Sequence, residues 1–295
     1  MKRALVIIFL TFLIMLSLCC ANEKTTEPHG KIVVYATISP QKEMIEAVGG
    51  DKVNVNIIVP QGGDPHTADL KPSQLVDLSK AKIYVMVGSG IEFEVKSMGK
   101  IKDLNKNMIV VDSSKGIDLI DIGIHQDEGV HVDGEGGKDP HIWTSLRNGK
   151  IMVQNLCEGL IAVDPNNKEY YLKNRDDYVE KLDEADNYII SKLKDMDNRS
   201  FMIFHPSWGY FAKDYNLNQI AIEIEGKEPT LQSLARTIEE AKEENIKVIF
   251  VSPGFSSKAA EIITKEIGGK TEVLDPLEEK YIENLKITAN KIKDQ

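Results

Sequence analysis

Lys31–Thr37 reads KIVVYAT, Val53–Val59 reads VNVNIIV, Lys82–Gly88 reads KIYVMVG and Met108–Ser114 reads MIVVDSS. Each run is short, rich in β-branched residues and apolar over most of its length, and helical stretches separate one from the next. Near-continuous apolar strands that alternate with helices build a parallel sheet covered on both faces. Four more runs follow, at Ser200–Pro206 (SFMIFHP), Asn218–Ile224 (NQIAIEI), Ile246–Ser252 (IKVIFVS) and Lys270–Pro276 (KTEVLDP). The expected fold is therefore α/β, with two lobes that each hold a parallel four-stranded sheet covered by helices. No residue-level repeat relates the two sets, so they share a plan and not a sequence.

Between the sets, Asp164-Pro165 is a helix start signal, and Tyr170, Tyr171, Tyr178, Leu182, Ala185, Ile189 and Leu193 recur at helical spacing. One long connecting helix is predicted within Asp164–Asp197. About thirty residues would span roughly 45 Å, enough to run along both lobes as a shared spine. The expected organisation is an export segment at 1–20, a polar tether at 21–30, an N-terminal lobe at 31–150, a linker containing the long helix at 151–198, and a C-terminal lobe at 199–295.

Composition excludes several functions. The 295 residues are 42% hydrophobic and 28% charged with three cysteines, which is an ordinary globular body and not a disordered chain, a polytopic membrane protein or a disulfide-stapled miniprotein. Lys plus Arg number 36 against 46 Asp plus Glu, for a net charge of −10. With no basic stripe to follow a phosphate backbone, nucleic acid is excluded as a partner. Lys2 and Arg3 precede an apolar run from Ala4 to Leu18 that is too short and too terminal for a bundle helix, which is the layout of an export signal. The run ends in Leu16-Ser17-Leu18-Cys19-Cys20-Ala21, similar to a lipobox, with Cys20 the expected lipid-bearing first residue of the mature protein and Cys19 the alternative. Ser17 stands where that pattern prefers leucine, so an uncleaved anchor is the second reading. Either way the expected location is extracytoplasmic, anchored to the cell membrane or periplasmic.

Of six histidines, His66 and His141 each close an Asp-Pro-His triplet and His205 precedes Pro206. His66 follows the second strand, His141 follows the fourth after a long loop, His205 ends the first strand of the second set, and Asp275 ends the last. Ligands of open α/β sheets bind at the carboxyl ends of strands, so these four side chains, two per lobe, can converge on an interlobe cleft. Three imidazoles and one carboxylate complete the tetrahedron that Zn²⁺ accepts; Mn²⁺ favours more oxygen donors, some of which a bidentate Asp275 could supply. Zinc is the expected metal and manganese the alternative.

Several stretches in order resemble the zinc and manganese solute-binding proteins of ABC importers, the cluster A-I metal-binding lipoproteins. They are Gly62-Gly63-Asp64-Pro65-His66 with Lys71-Pro72-Ser73-Gln74, Asp139-Pro140-His141-Ile142-Trp143, and His205-Pro206-Ser207-Trp208-Gly209-Tyr210-Phe211. Glu225-Gly226-Lys227-Glu228-Pro229-Thr230, Val248-Ile249-Phe250 and Leu274-Asp275-Pro276-Leu277 extend the match to the last third of the chain. The resemblance implies that His66, His141, His205 and Asp275 are the metal ligands, with histidine rather than glutamate at position 205 pointing to zinc. It also implies a monomer whose lobes shift slightly on loading and which then docks on the membrane subunits of an ABC permease.

Two departures from the family stand out. Ser252 occupies a place where many members have glutamate, so a carboxylate role there is lost. The loop Asp121–Asp139, with His125 and His131 among six acids and five glycines, is a short acidic version of the His-rich loop of zinc-specific members; it raises local cation concentration or is merely solvated. Other features carry simpler readings. Cys157, the one cysteine expected in the mature body, packs in the core. Trp143 and Trp208 shield the metal or simply pack under the lobes, and Val87-Gly88-Ser89-Gly90 marks a strand-to-helix turn, because it lacks nucleotide-loop spacing. Two rivals come from other classes. A surface adhesin or metal-storage lipoprotein would share the same site. A zinc hydrolase would need an open metal position and a carboxylate base, and no H-E-x-x-H occurs; no enzymatic role is expected.

Overall fold

The computed structural model describes residues 30–122, 137–223, 229–255 and 258–295. The export segment with Cys19 and Cys20, nearly all of the tether, His125 and His131 of the acidic loop, and Glu225–Glu228 lie outside those residues. Among the described residues, no helix is long and apolar enough to cross a membrane.

All eight expected strands form. β1 (Ile32–Ile38), β2 (Val53–Val59), β3 (Ile83–Met86) and β4 (Ile109–Asp112) make one sheet, and β5 (Ser200–Ile203), β6 (Asn218–Ala221), β7 (Val248–Val251) and β8 (Lys270–Val273) make the other. Every pairing is parallel, and the orders are β2-β1-β3-β4 and β6-β5-β7-β8. In each sheet the chain begins on an inner strand, runs to one edge and crosses back. That reversal leaves a crevice beyond the carboxyl ends of the strands.

Several strands stop short of the apolar runs that announce them. The run Lys82–Gly88 pairs only over Ile83–Met86, because the N–H groups of Val87 and Gly88 donate to the buried Glu94 carboxylate at 2.6 and 2.9 Å. Gly88 has φ +84°, and a Cβ there would meet Asp112 Oδ1 at 1.9 Å, so the strand-to-helix turn requires glycine. In the run Ser200–Pro206, Phe204 still donates to the Phe250 carbonyl at 2.9 Å, but Pro206 has no N–H to give and the chain leaves the sheet. His205 thereby lands two residues beyond the strand.

The helices are α1 (Pro40–Gly49), α2 (Pro72–Leu78), α3 (Glu92–Leu104), α4 (Leu146–Val163), α5 (Lys168–Leu193), α6 (Gly209–Asp214), α7 (Leu231–Glu243), α8 (Lys258–Ile267) and α9 (Tyr281–Lys293). The expected long helix is α5, whose 26 residues span roughly 39 Å. It starts after a 3-10 turn at Pro165–Asn167. Its buried stripe of Tyr171, Tyr178, Leu182, Ala185, Ile189 and Leu193 packs against α1, α4 and α9. Tyr178 donates to Glu43 on α1 and Tyr188 to Asn290 on α9, at 2.8 and 2.9 Å, so the helix is fastened to elements that flank both sheets.

Side chains alternate across the second sheet as strand geometry requires. Phe201, Ile203, Val248 and Phe250 join the large core that also contains the first sheet and the buried face of α5, while Met202, Ile220 and Ile249 join a smaller core with Ala241 of α7 and Ile263 of α8. Cys157 is a buried free thiol inside α4. Truncating the middle of the spine with Leu182→Ala should cost about 2–5 kcal/mol, read as a lowered urea midpoint of the metal-free protein.

Candidate metal centre

Three loops, each leaving the carboxyl end of a strand, bring His66, His141 and His205 to one point. One ring nitrogen of each lies within 4.8 Å of the others. The Nε2 atoms of His66 and His205 are each 3.2 Å from Nε2 of His141. A tetrahedral zinc with Zn–N bonds of about 2.05 Å sets neighbouring nitrogens about 3.3 Å apart, close to the spacing seen.

Each imidazole is oriented through its other nitrogen. His66 Nδ1 meets Glu92 Oε2 at 2.6 Å, His141 Nδ1 meets Asp139 Oδ1 at 2.7 Å and His205 Nδ1 meets Glu223 Oε1 at 3.2 Å. A carboxylate can only accept, so each Nδ1 carries a hydrogen, and in the neutral ring Nε2 is then the nitrogen with a free lone pair facing the centre. No such roles were expected for Glu92, Asp139 or Glu223 from the sequence. Glu223 left a signal, as an acidic residue inside the apolar run Asn218–Ile224. Asp139 left one in its place two residues before His141.

The two Asp-Pro-His triplets perform different tasks. Asp139 Oδ1 accepts both the backbone N–H and the ring Nδ1–H of His141, at 2.9 and 2.7 Å. Asp64 accepts the backbone N–H of His66 at 2.9 Å and the Thr67 hydroxyl at 2.6 Å, leaving the His66 ring to Glu92. That glutamate opens α3, whose first turn is moored by the Phe93 N–H on the Pro65 carbonyl at 3.2 Å and by Glu94 on Thr37, Val87 and Gly88.

The loop carrying His141 is held from several directions. Ser89 donates to the Pro140 carbonyl at 2.5 Å, and Tyr210 of α6 donates to the Asp139 carbonyl at 2.9 Å. The Trp143 indole donates to the Pro276 carbonyl at 2.7 Å, and Tyr281 of α9 donates to the Ser145 carbonyl at 2.8 Å. Trp143 lines the cavity and sets its edge against His141, whereas Trp208 is buried away from it against Phe211. One tryptophan shields the centre and the other packs. Phe255, which the sequence did not single out, stacks flat on His205 with centroids 4.2 Å apart. Ser252 ties β7 to the chain beyond β8 by donating to the Leu274 carbonyl at 3.1 Å.

Asp275 lines the same cavity but is not one of the clustered nitrogen and oxygen ligand atoms. Its Oδ1 accepts the Leu277 N–H at 2.8 Å and its Oδ2 accepts Gln61 Nε2 at 3.1 Å. Burial raises its pKa, the Leu277 and Gln61 hydrogen bonds oppose that, and the nearby Glu278 charge adds to it. For His141, burial outweighs the neighbouring Asp139 and pushes the pKa down to about 4.

The family model described as zinc-uptake complex component A periplasmic matches residues 34–295. The chain is similar to the high-affinity zinc uptake system protein ZnuA of Bacillus subtilis, 32% identical over 277 residues that cover 90% of this chain and 85% of that protein. It is similar to the zinc-binding lipoprotein AdcA of Streptococcus pneumoniae, 30% identical over 292 residues that cover 95% of this chain but 58% of AdcA. The crystal structure of ZnuA shares the fold with a TM-score of 0.83 at 38% identity, covering 90% of this chain and 98% of that one.

Because an unfolded histidine titrates near 6.5 while native His141 holds out to about 4, the unfolded chain binds the extra proton between those values, and native stability falls as pH falls through that window. Denaturant midpoints of the chelator-stripped protein should therefore drop from pH 6.5 to pH 4, and His141→Gln should flatten that part of the curve.

Proposed function

Because the chain belongs to the zinc-uptake complex component A family, we propose that it is the extracytoplasmic solute-binding protein of a metal ABC importer, capturing Zn²⁺ and delivering it to a membrane permease. The observation that carries this reading is the convergence of three Nε2 atoms, those of His66 and His205 each 3.2 Å from that of His141, with each ring fixed by its own carboxylate. Such a group is a poor neighbour to itself and a good one to a borderline cation. His66, His141 and His205 supply the nitrogens and Asp275 the fourth ligand, with Mn²⁺ as the alternative cargo. Four protein ligands leave no open position for an activated water, which suits holding a metal and not hydrolysis. Residues 31–150 and 199–295 act as two lobes joined by 151–198, a division supported by the two separate sheets. The chain works as a monomer anchored through lipid on Cys20, or on Cys19, in keeping with the lipoprotein among its relatives.

The decisive measurement is metal content and competitive affinity of the chelator-stripped protein for Zn²⁺ and Mn²⁺. One tightly held zinc per chain is expected, weakened in both His205→Ala and Asp275→Ala, and weakened further by acid as protons compete for the imidazole lone pairs. Absence of any tight stoichiometric metal would sink the site assignment, and a preference for manganese would overturn the choice of cargo. Zinc uptake from scarce medium should require the protein; a deletion strain with normal uptake would remove the transport role and leave adhesion or storage.

A further inference from the structure

Asp275 belongs to the second half of the molecule, just beyond β8, yet its carboxylate is oriented by the first half. Gln61, in the loop that follows β2, donates Nε2 to Asp275 Oδ2 at 3.1 Å and to Glu278 Oε2 at 2.5 Å. The same short segment is gripped at two more points, by Trp143 on the Pro276 carbonyl at 2.7 Å and by Lys42 on Glu279 at 2.5 Å. The loop bearing Gln61 also touches the loop after β7, where a Cβ on Gly254 would lie 3.4 Å from the Gly62 carbonyl oxygen. These contacts cross from one sheet's loops to the other's at the rim of the cavity.

A carboxylate offers about four lone-pair sites. Leu277 occupies one on Oδ1 and Gln61 one on Oδ2, which leaves one on each oxygen of a group that lines the cavity with the three imidazoles. The Gln61 amide also stands between two like charges, Asp275 and Glu278. Without it those carboxylates repel with no donor shared between them, and Asp275 is free to rotate towards water.

Resting on the reading of Asp275 as a ligand, we propose that Gln61 is a positioning residue of the metal site: acting from the opposite half of the molecule, it sets the Asp275 carboxylate facing the imidazoles. The fourth ligand is then presented only while the loops after β2 and β8 are in contact. Hydrogen-bond partners of metal ligands typically govern a factor of about 10–100 in affinity.

The test is a double-mutant cycle on the purified protein, read as zinc affinity by competition with a chromophoric chelator, with metal-free thermal unfolding alongside. Gln61→Leu should weaken zinc at least about tenfold while leaving the metal-free midpoint in place, and Gln61→Glu, of equal length but without the donor, should weaken it at least as much. In the Asp275→Ala background, Gln61→Leu should cause no further loss. Wild-type affinity in Gln61→Leu would overturn the inference, as would an equal loss in the Asp275→Ala background, which would make Gln61 a general clasp. If wild-type protein holds neither zinc nor manganese, the proposed function fails first and the inference with it.

Discussion

Three imidazoles crowded so that the Nε2 atoms of His66 and His205 each lie 3.2 Å from that of His141 are an arrangement that no chain adopts without being held to it. Burial of His141 and His205, at 5% and 8% exposure, removes the water that would otherwise satisfy these polar nitrogens. What holds the rings is a carboxylate behind each one, and those carboxylates come from three unlike places: the first turn of α3, the loop before His141 and the chain beyond β6. The strand order shared by the two sheets, the early strand endings and the spine α5 together keep three rings and three acids in register.

The Asp139–His141 pair shows how local sequence and global fold divide this labour. A triplet with proline in the middle lets an aspartate reach back to cap its own histidine, which needs nothing distant. At Asp64–His66 the identical triplet spends its aspartate on the turn, and a helix must bring Glu92 to the ring instead. Glu94, two residues along, is buried and tied to β1 and to the chain just beyond β3, so the partner of His66 is only as well placed as the start of α3.

Much of this was legible in the sequence, and for definable reasons. The eight strands were short apolar runs bounded by turns, and α5 announced itself by the recurrence of Tyr178, Leu182, Ala185 and Ile189. The three histidines stood at strand ends, where α/β sheets gather ligands. What remained hidden depends on distance in the chain. Glu92 is 26 residues from His66 and Glu223 is 18 from His205, and no periodicity connects them. Phe255 and Gln61 were hidden for the same reason. The strand ends were overestimated because apolar character continues past the last ladder bond, as at Val87, whose side chain stays in the core after its N–H has turned to Glu94.

The fastenings around His141 have a mechanical implication. Asp139, Trp143 and Ser145 precede the second sheet by more than fifty residues, yet Tyr210, Pro276 and Tyr281 hold them, and Ser145 also donates to Asp214 at 2.5 Å. From the first half, Ser89 ties Pro140 to the chain beyond β3, the Asp139 N–H donates to the Ile120 carbonyl at 2.9 Å, and Asn155 of α4 donates to the Ser113 carbonyl at 3.1 Å. The segment from Asp139 to Ser145 is therefore riveted to both halves at once. Strain entering from either half therefore meets at His141, the ring whose Nε2 lies 3.2 Å from both of the others.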